Sequence, residues 1–139
     1  MRIFVDTNIL LDTIVPERQG AAQSRQILNL SFKGRCKVCL SSLSLANISY
    51  ITRKQLSKEQ QLALFKTMLD VYHISPVGDF CAYEATHSFC PDFEDALQIS
   101  AAELDSCEVI ITRDKKHFEG YTALPVFSPD EFLEKIRRS

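Results

Sequence analysis

The 139-residue sequence predicts an α/β fold, a three-layer α/β/α sandwich built on a central, mostly parallel sheet. Short apolar runs of strand length, at residues 3–5, 37–40 and 109–112, alternate with segments whose apolar residues recur at helical spacing. The runs are continuously apolar, as in strands that a parallel sheet buries on both faces. Right-handed crossovers would place helices on both sides of that sheet. The length suits one domain over residues 1–139.

The predicted elements follow one another in a regular order and carry ordinary start and stop signals. Strands are expected at residues 3–5, 37–40, 73–76, 109–112 and 125–127. Helices are expected at residues 7–14, 18–32, 79–87 and 92–104, and three more begin near residues 43, 57 and 128. Pro16 should end the first helix. Ser57 with Gln60 forms a capping box. Ser128 with Glu131 forms another.

The apolar residues also predict what is buried. The helix that begins at Ser57 should present Leu62, Phe65, Met68 and Leu69 on one face toward the core. The aromatic residues are core candidates as well, namely Tyr50, Tyr72, Tyr83 and the nine phenylalanines.

Composition and charge narrow the protein class. A net charge of −2 does not support nucleic-acid binding by bulk charge alone, although a nuclease can be slightly acidic because its metal-binding carboxylates lower the total. The sequence has no apolar stretch of the roughly 18 residues that a membrane span requires. A strand begins almost at the first residue, with no signal-like segment before it, so we expect a cytoplasmic protein.

The cysteines and histidines offer weaker signals. An odd count of five cysteines indicates reduced thiols. Cys36 and Cys39 form a CxxC pair, but the sequence has no second CxxC and no histidine pair nearby, which argues against a zinc or redox role. His73, His87 and His117 are isolated and are expected in surface or structural roles.

Four aspartates point to a metal site. Asp6 and Asp114 each follow a predicted central strand, which places them at the carboxyl edge of the sheet, where open α/β folds bind ligands. Asp92 and Asp95 begin a helix and are three residues apart. Converging carboxylates repel one another unless a cation neutralises them, and an all-oxygen ligand set favours Mg²⁺ or Mn²⁺. Such a cation can activate water for attack on a phosphodiester.

Each of these acids except Asp6 has an ordinary structural explanation. Asp92 could cap its helix, and Asp95 could complement the helix dipole. Asp114 could be a turn residue. Asp6 is hardest to explain without a ligand, because an acid that ends a buried strand must be paired or solvated.

Four segments resemble a known family. Val5 to Asn8, Leu40 to Tyr50, Asp92 to Gln98 and Ile110 to Asp114 occur in the order and approximate spacing of a prokaryotic PIN domain. The similarity spans almost the whole chain. It implies a Mg²⁺- or Mn²⁺-dependent endoribonuclease that cuts RNA. Many small PIN proteins are VapC-type toxins of type II toxin–antitoxin pairs, which adds an antitoxin and a second copy of the chain as expected partners.

The resemblance also implies roles for single residues. Asp6, Asp95 and Asp114 match the family's catalytic and metal-binding acids. The other matches are a hydroxyl at Thr112, a polar residue at Asn8 and an additional candidate ligand at Asp92.

One position departs from the family pattern. Many members carry a glutamate where this chain has Asn47, and an amide brings no negative charge to a cation. Glu94 could compensate, but its place on the helix is expected to point it away from Asp95. A non-catalytic module that binds RNA or protein therefore stays open beside the ribonuclease. An aspartyl phosphatase is disfavoured because its second acid would fall at Asn8.

Basic residues beside the predicted site are candidate RNA contacts. Arg113, Lys115 and Lys116 flank Asp114, and cations next to a carboxylate site could neutralise substrate phosphates.

Overall fold

The computed structural model describes residues 1–15 and 18–138, and a five-stranded parallel sheet forms its centre. The strands are β1 (Arg2–Val5), β2 (Lys37–Ser41), β3 (His73–Ser75), β4 (Val109–Ile111) and β5 (Val126–Phe127). Their order across the sheet is β3–β2–β1–β4–β5, and every neighbouring pair is parallel. Strand β1 therefore lies in the middle. The chain adds β2 and β3 on one side of β1 and then β4 and β5 on the other.

Helices cover both faces of the sheet, which confirms the predicted α/β/α sandwich. They are α1 (Thr7–Ile14), α2 (Ala21–Phe32), α3 (Ser42–Ile51), α4 (Lys58–Val71), α5 (Asp79–Thr86), α6 (Phe93–Leu104) and α7 (Pro129–Arg137). One core joins the sheet to side chains such as Ile9, Ile27 and Phe132. The other core joins it to Cys81 and Ile99, on α5 and α6. In the described ranges, no helix is long and apolar enough to cross a membrane.

The central strand explains why its sequence is continuously apolar. Ile3 and Val5 face the first core, whereas Phe4 faces the second, and all three are fully buried. At the end of β1, the backbone N–H of Asp6 donates to the carbonyl of Ile111 on β4 at 3.0 Å. The sheet therefore fixes the backbone of Asp6 before its side chain makes any contact.

The predicted helix signals act largely as expected. Both capping boxes are present, at Ser57 and at Ser128. The second helix begins at Ala21 and not at Arg18, because Gly20 takes a left-handed conformation, with φ of +89°, at the position before the helix. Pro16, which was expected to end α1, lies outside the described residues.

The predicted buried face of α4 is partly wrong. Met68 is buried and Phe65 packs against the core, but Leu62 and Leu69 are 48% and 55% exposed. Leu64 takes part in the core packing instead. Positions 64, 65 and 68 form one face at helical spacing, and positions 62 and 69 lie outside it.

The expectation that the aromatic residues are mainly core residues is also partly wrong. Only three phenylalanines are among the largest fully buried side chains of the described residues: Phe4, Phe118 and Phe132. Many aromatic side chains are exposed: Phe32, Tyr50, Phe80, Tyr83, Phe89 and Phe93. The apolar character of an aromatic residue therefore did not by itself identify whether it packs in the core.

The central strands should carry most of the stability. Ile110 is fully buried on β4, so Ile110→Ala should lower the free energy of unfolding by about 2–5 kcal/mol, because the lost side chain leaves a cavity. Leu69→Ala on the exposed side of α4 is the control and should cost about 0.5 kcal/mol. Urea unfolding followed by circular dichroism measures both values, and equal losses would contradict this account of the core.

Candidate active site

An open pocket of about 280 Å³ lies at the carboxyl edge of the sheet, where the sequence placed the site. Its carboxylates come from separate parts of the chain: Asp6 after β1, Glu94 and Asp95 in the first turn of α6, and Asp114 after β4. The other lining residues are Thr7, Asn8, Leu11, Asn47, Ile51, His117 and Phe118. The pocket therefore brings together acids that are far apart in sequence.

Asp6 is the most firmly held of these acids. One carboxylate oxygen, Oδ1, accepts from the Thr7 N–H at 2.8 Å, so Asp6 caps α1. The other, Oδ2, accepts from the hydroxyl of Thr112 at 2.9 Å. Burial raises the pKa of Asp6 to about 6, against the lowering effect of these two hydrogen bonds and with smaller contributions from Asp95 and Asp114. The charged form of Asp6 is therefore costly in the pocket without a nearby cation.

Thr112 connects the two acids that follow the central strands. Its buried hydroxyl donates to Asp6 and accepts from the backbone N–H of Asp114 at 2.9 Å. The amide of Asn8 donates to Oδ2 of Asp114 at 2.9 Å. The hydroxyl and amide positions suggested by the family resemblance thus lie in contact with the acids.

A further carboxylate, that of Asp12, lies behind the pocket and binds several residues there. It is buried on α1, and Oδ1 accepts from Arg18 Nε at 3.1 Å while lying 2.8 Å from Arg113 Nη2. The Ser24 hydroxyl donates to Oδ2 at 2.6 Å. Arg18 also reaches Oδ1 of Asn8 at 3.4 Å. Asp12 gave no signal in the sequence, because its partners come from separate segments.

The first turn of α6 gives Asp92 and Asp95 different positions relative to the pocket. Asp92 caps the helix by accepting from the Asp95 N–H at 2.9 Å, and it does not line the pocket, so its capping alternative describes the structure. Asp95 does line it, with Oδ2 at 3.4 Å from Nδ1 of His117. Burial and the nearby Asp92 raise the pKa of Asp95, and His117 opposes this. His117 is exposed, as a surface role requires, but it is not isolated, because it contacts Asp95.

Glu94 also faces the pocket, which corrects the expectation that it points away from Asp95. Its Oε1 accepts from the amide of Asn47 at 2.6 Å. Both acids belong to the first turn of α6, and helical side chains lean toward the helix N-terminus, so neighbouring residues there can reach the same space. The pocket thus holds a carboxylate beside the position where Asn47 supplies none.

Two buried hydrogen bonds hold the helices that carry these side chains. The hydroxyls of Thr7 on α1 and Ser44 on α3 lie 2.7 Å apart. The Ser41 hydroxyl at the end of β2 donates to Gln98 of α6 at 2.6 Å. These contacts fix α3 relative to α1 and α6 relative to β2, and with them the positions of Asn47 and the α6 acids.

The basic residues near Asp114 are largely engaged within the protein. Arg113 is paired with Asp12, as described above. Lys115 Nζ lies 2.9 Å from Glu131 Oε1, and this contact raises the pKa of Lys115. Lys116 is exposed. The structure therefore supports Lys116 more than the other two as a side chain available to a bound polyanion.

The donor set of the pocket fits a hard divalent cation. Four carboxylates and two side-chain amides converge there, and no lysine or arginine is among the lining residues that the structure describes. Burial raises the pKa of both Asp6 and Asp95, so their charged forms are disfavoured without a cation nearby. Oxygen donors of this kind suit Mg²⁺ or Mn²⁺.

Known proteins are similar to this chain in sequence and in fold. The chain is 24% identical to Ribonuclease VapC1 of Aquifex aeolicus (strain VF5), over 96% of this chain and 94% of that protein. Its fold is similar to a chain of VapBC2 from Rickettsia felis, solved bound to a DNA fragment from the promoter, with a TM-score of 0.69, 19% identity and coverage of 92% and 98% of the two chains.

A second solved structure is similar to the same extent. It is VapC20 of Mycobacterium tuberculosis, described as a toxin that cleaves the sarcin–ricin loop, with a TM-score of 0.66, 14% identity and coverage of 88% of this chain and 98% of that one. At these identities the solved structures show the fold alone. The PIN domain family model matches residues 2–116, which is most of the chain. With its parallel sheet and its acids at the carboxyl edge, this protein belongs to the PIN domain family.

Proposed function

We propose that this protein is a Mg²⁺- or Mn²⁺-dependent endoribonuclease of the toxin type, with Asp6, Asp95 and Asp114 as its catalytic and metal-binding acids. The observation that carries the proposal is the convergence of carboxylates in a pocket whose described lining residues include no lysine or arginine. The similarity to Ribonuclease VapC1 supports RNA as the substrate class.

The residues of the chain have separate roles in this proposal. A bound divalent cation would polarise a phosphoryl oxygen and lower the pKa of an attacking water. Asp6, Asp95 and Asp114 would hold it through carboxylate oxygens. Thr112 and Asn8 orient the carboxylates of Asp6 and Asp114 through the hydrogen bonds described above.

Glu94 supplies the negative charge that Asn47 lacks. The 2.6 Å hydrogen bond from Asn47 Nδ2 holds the Glu94 carboxylate at the pocket and leaves its second oxygen available. Asn47 acts here as a positioning residue. This pairing favours a working metal site over the alternative, a non-catalytic module that binds RNA or protein, for which Asn47 was the motivating observation.

The similar structures extend the proposal to a partner. They include a DNA-bound VapBC from Salmonella typhimurium and a toxin–antitoxin complex from Klebsiella pneumoniae. We propose that this protein likewise binds an antitoxin protein. We also propose that it forms a homodimer, as the resemblance to small PIN proteins implies. Lys116, exposed beside Asp114, would contact an RNA phosphate.

The proposed acids should control both metal binding and cleavage. Asp6→Asn should weaken Mn²⁺ binding and RNA cleavage at least about tenfold, because one charged oxygen ligand is lost. Asp130→Asn, on the exposed first turn of α7, is the control and should leave both unchanged. Calorimetric titration and cleavage of a structured RNA measure the two effects. The absence of Mn²⁺ binding at millimolar concentration would favour the binding module instead.

Glu94 should contribute to metal affinity even though it was not among the acids that match the family. Glu94→Gln keeps the shape and a polar contact with Asn47 but removes the charge, so the dissociation constant for Mn²⁺ should rise about tenfold. Glu84→Gln, an exposed residue of α5, is the matched control. An unchanged Mn²⁺ affinity in Glu94→Gln would show that Glu94 does not replace the missing acid.

The raised pKa of Asp6 predicts how stability depends on pH when a chelator removes divalent cations. In the unfolded chain an aspartate has a pKa of about 3.9, whereas the folded value is about 6. The folded state binds this proton more tightly, so the contribution of Asp6 to stability falls as the pH rises between these values and stays lost above them.

Asp6→Asn removes this loss. The free energy of unfolding of the variant, relative to the unmodified protein, should therefore increase from about pH 4 to about pH 7. Saturating Mn²⁺ should reverse the increase, because a cation binds the ionised carboxylate. Urea unfolding at a series of pH values measures this difference, and a difference independent of pH would contradict the environment assigned to Asp6.

A further inference from the structure

A second group of side chains that can bind a metal lies near the amino-terminal ends of the strands, whereas the acidic pocket lies at their carboxyl ends. The Sγ atoms of Cys39 and Cys107 and a carboxylate oxygen of Asp105 all lie within 4.8 Å of one another. Both cysteines are buried, at 0% and 4% exposure. Two thiols and one carboxylate thus already surround a common point inside the protein.

The parallel sheet brings this group together from distant segments. Cys39 is on β2, and in the sheet register it lies beside Phe4 of β1 and His73 of β3. Asp105 caps the C-terminus of α6, and Cys107 follows it in the turn that leads to β4. The three side chains therefore join β2, α6 and the start of β4 near the amino-terminal ends of the strands.

The two cysteines of the CxxC pair, Cys36 and Cys39, do not lie together in the structure. Cys36 packs against the core on one side of the sheet, and Cys39 belongs to the core on the other side. Residues three apart on an extended strand point to opposite faces, so the two sulfurs cannot share a ligand there. Cys39 finds its thiol neighbour in Cys107 instead.

His73 places a nitrogen donor beside this group. Its Nε2 atom is buried and makes no aligned hydrogen bond with any residue that the structure describes. It lies 2.9 Å from Oδ2 of Asp105, an ion-pair distance when the imidazole is protonated. The neutral imidazole would instead offer Nε2 as a ligand next to the carboxylate of the group.

The charges around Asp105 are also suited to a divalent cation. Arg2 Nη2 lies 2.8 Å from Oδ2 of Asp105, and the Ser75 hydroxyl donates to the same oxygen at 2.6 Å, so the carboxylate is fixed in place. With both thiols ionised, the two cysteines and Asp105 would carry three negative charges against the single positive charge of Arg2. A divalent cation would bring this group of charges to neutrality.

We propose that Cys39, Asp105 and Cys107 form a thiolate-rich binding site for a divalent cation such as Zn²⁺, with His73 as the nearest fourth donor. Thiolate sulfur selects zinc over magnesium or manganese, so this site and the acidic pocket would take different metals. Three of the four ligands lie in or beside the second core. The bound ion would therefore stabilise the junction of β2, α6 and β4.

Cobalt provides a probe that distinguishes this site from the acidic pocket. Thiolate ligands give bound Co²⁺ an intense near-ultraviolet charge-transfer band, which carboxylate oxygens do not give. Titrating the reduced, metal-free full-length protein with Co²⁺ should produce that band, saturate at one equivalent, and reverse on addition of Zn²⁺. Asp6→Asn should keep the band, because Asp6 belongs to the other pocket.

The cysteine variants locate the ligands. Cys39→Ser and Cys107→Ser should each lose the band, with far-UV circular dichroism to check that they fold. A Cys36→Ser, Cys90→Ser double variant should keep it, and it tests the site even if the core variants fail to fold. Absence of the band in the unmodified, reduced protein would overturn the proposal, whether or not Cys39 and Cys107 can form a disulfide. Loss of the band in the double variant would also overturn it.

Discussion

The structure of the candidate site depends on one hydroxyl between two strands. Thr112 is fully buried after β4, donates to the Asp6 carboxylate and accepts from the backbone of Asp114. The backbone of Asp6 is itself bonded to Ile111. The parallel pairing of the two central strands therefore sets the separation of these acids directly, and the other lining residues are arranged around that fixed pair.

Asp12 on α1 and Asp6 at the N-cap of α1 lie in different electrostatic environments. Asp12 is compensated by Arg18, Arg113 and Ser24, as a structural carboxylate must be. Asp6 receives two hydrogen bonds and forms no ion pair with any basic side chain among residues 1–15 and 18–138, and burial raises its pKa. The ionised carboxylate of Asp6 lowers the stability of the folded protein, and interactions elsewhere in the fold offset this loss, as is usual for binding sites.

The sequence predicted the sandwich and the edge that carries Asp6 and Asp114, because both follow from the strand pattern and from where parallel strands end. It could not predict the roles of Glu94 and His117, which depend on how the first turn of α6 is rotated toward the pocket. The pairing of Cys39 with Cys107 depends on which strands are neighbours. The buried face of α4 was misjudged at Leu62 and Leu69, and aromatic residues such as Phe80 and Phe89 were expected in the core but are exposed.

The central claim is that the carboxylates at the carboxyl edge of the sheet share one divalent cation. A crystal structure of the protein grown with Mn²⁺, with anomalous scattering used to locate manganese, tests it most directly. The account predicts an anomalous peak in the pocket, within coordination distance of carboxylate oxygens of Asp6, Asp95 and Asp114. A saturating Mn²⁺ concentration that leaves this pocket without a peak would contradict it.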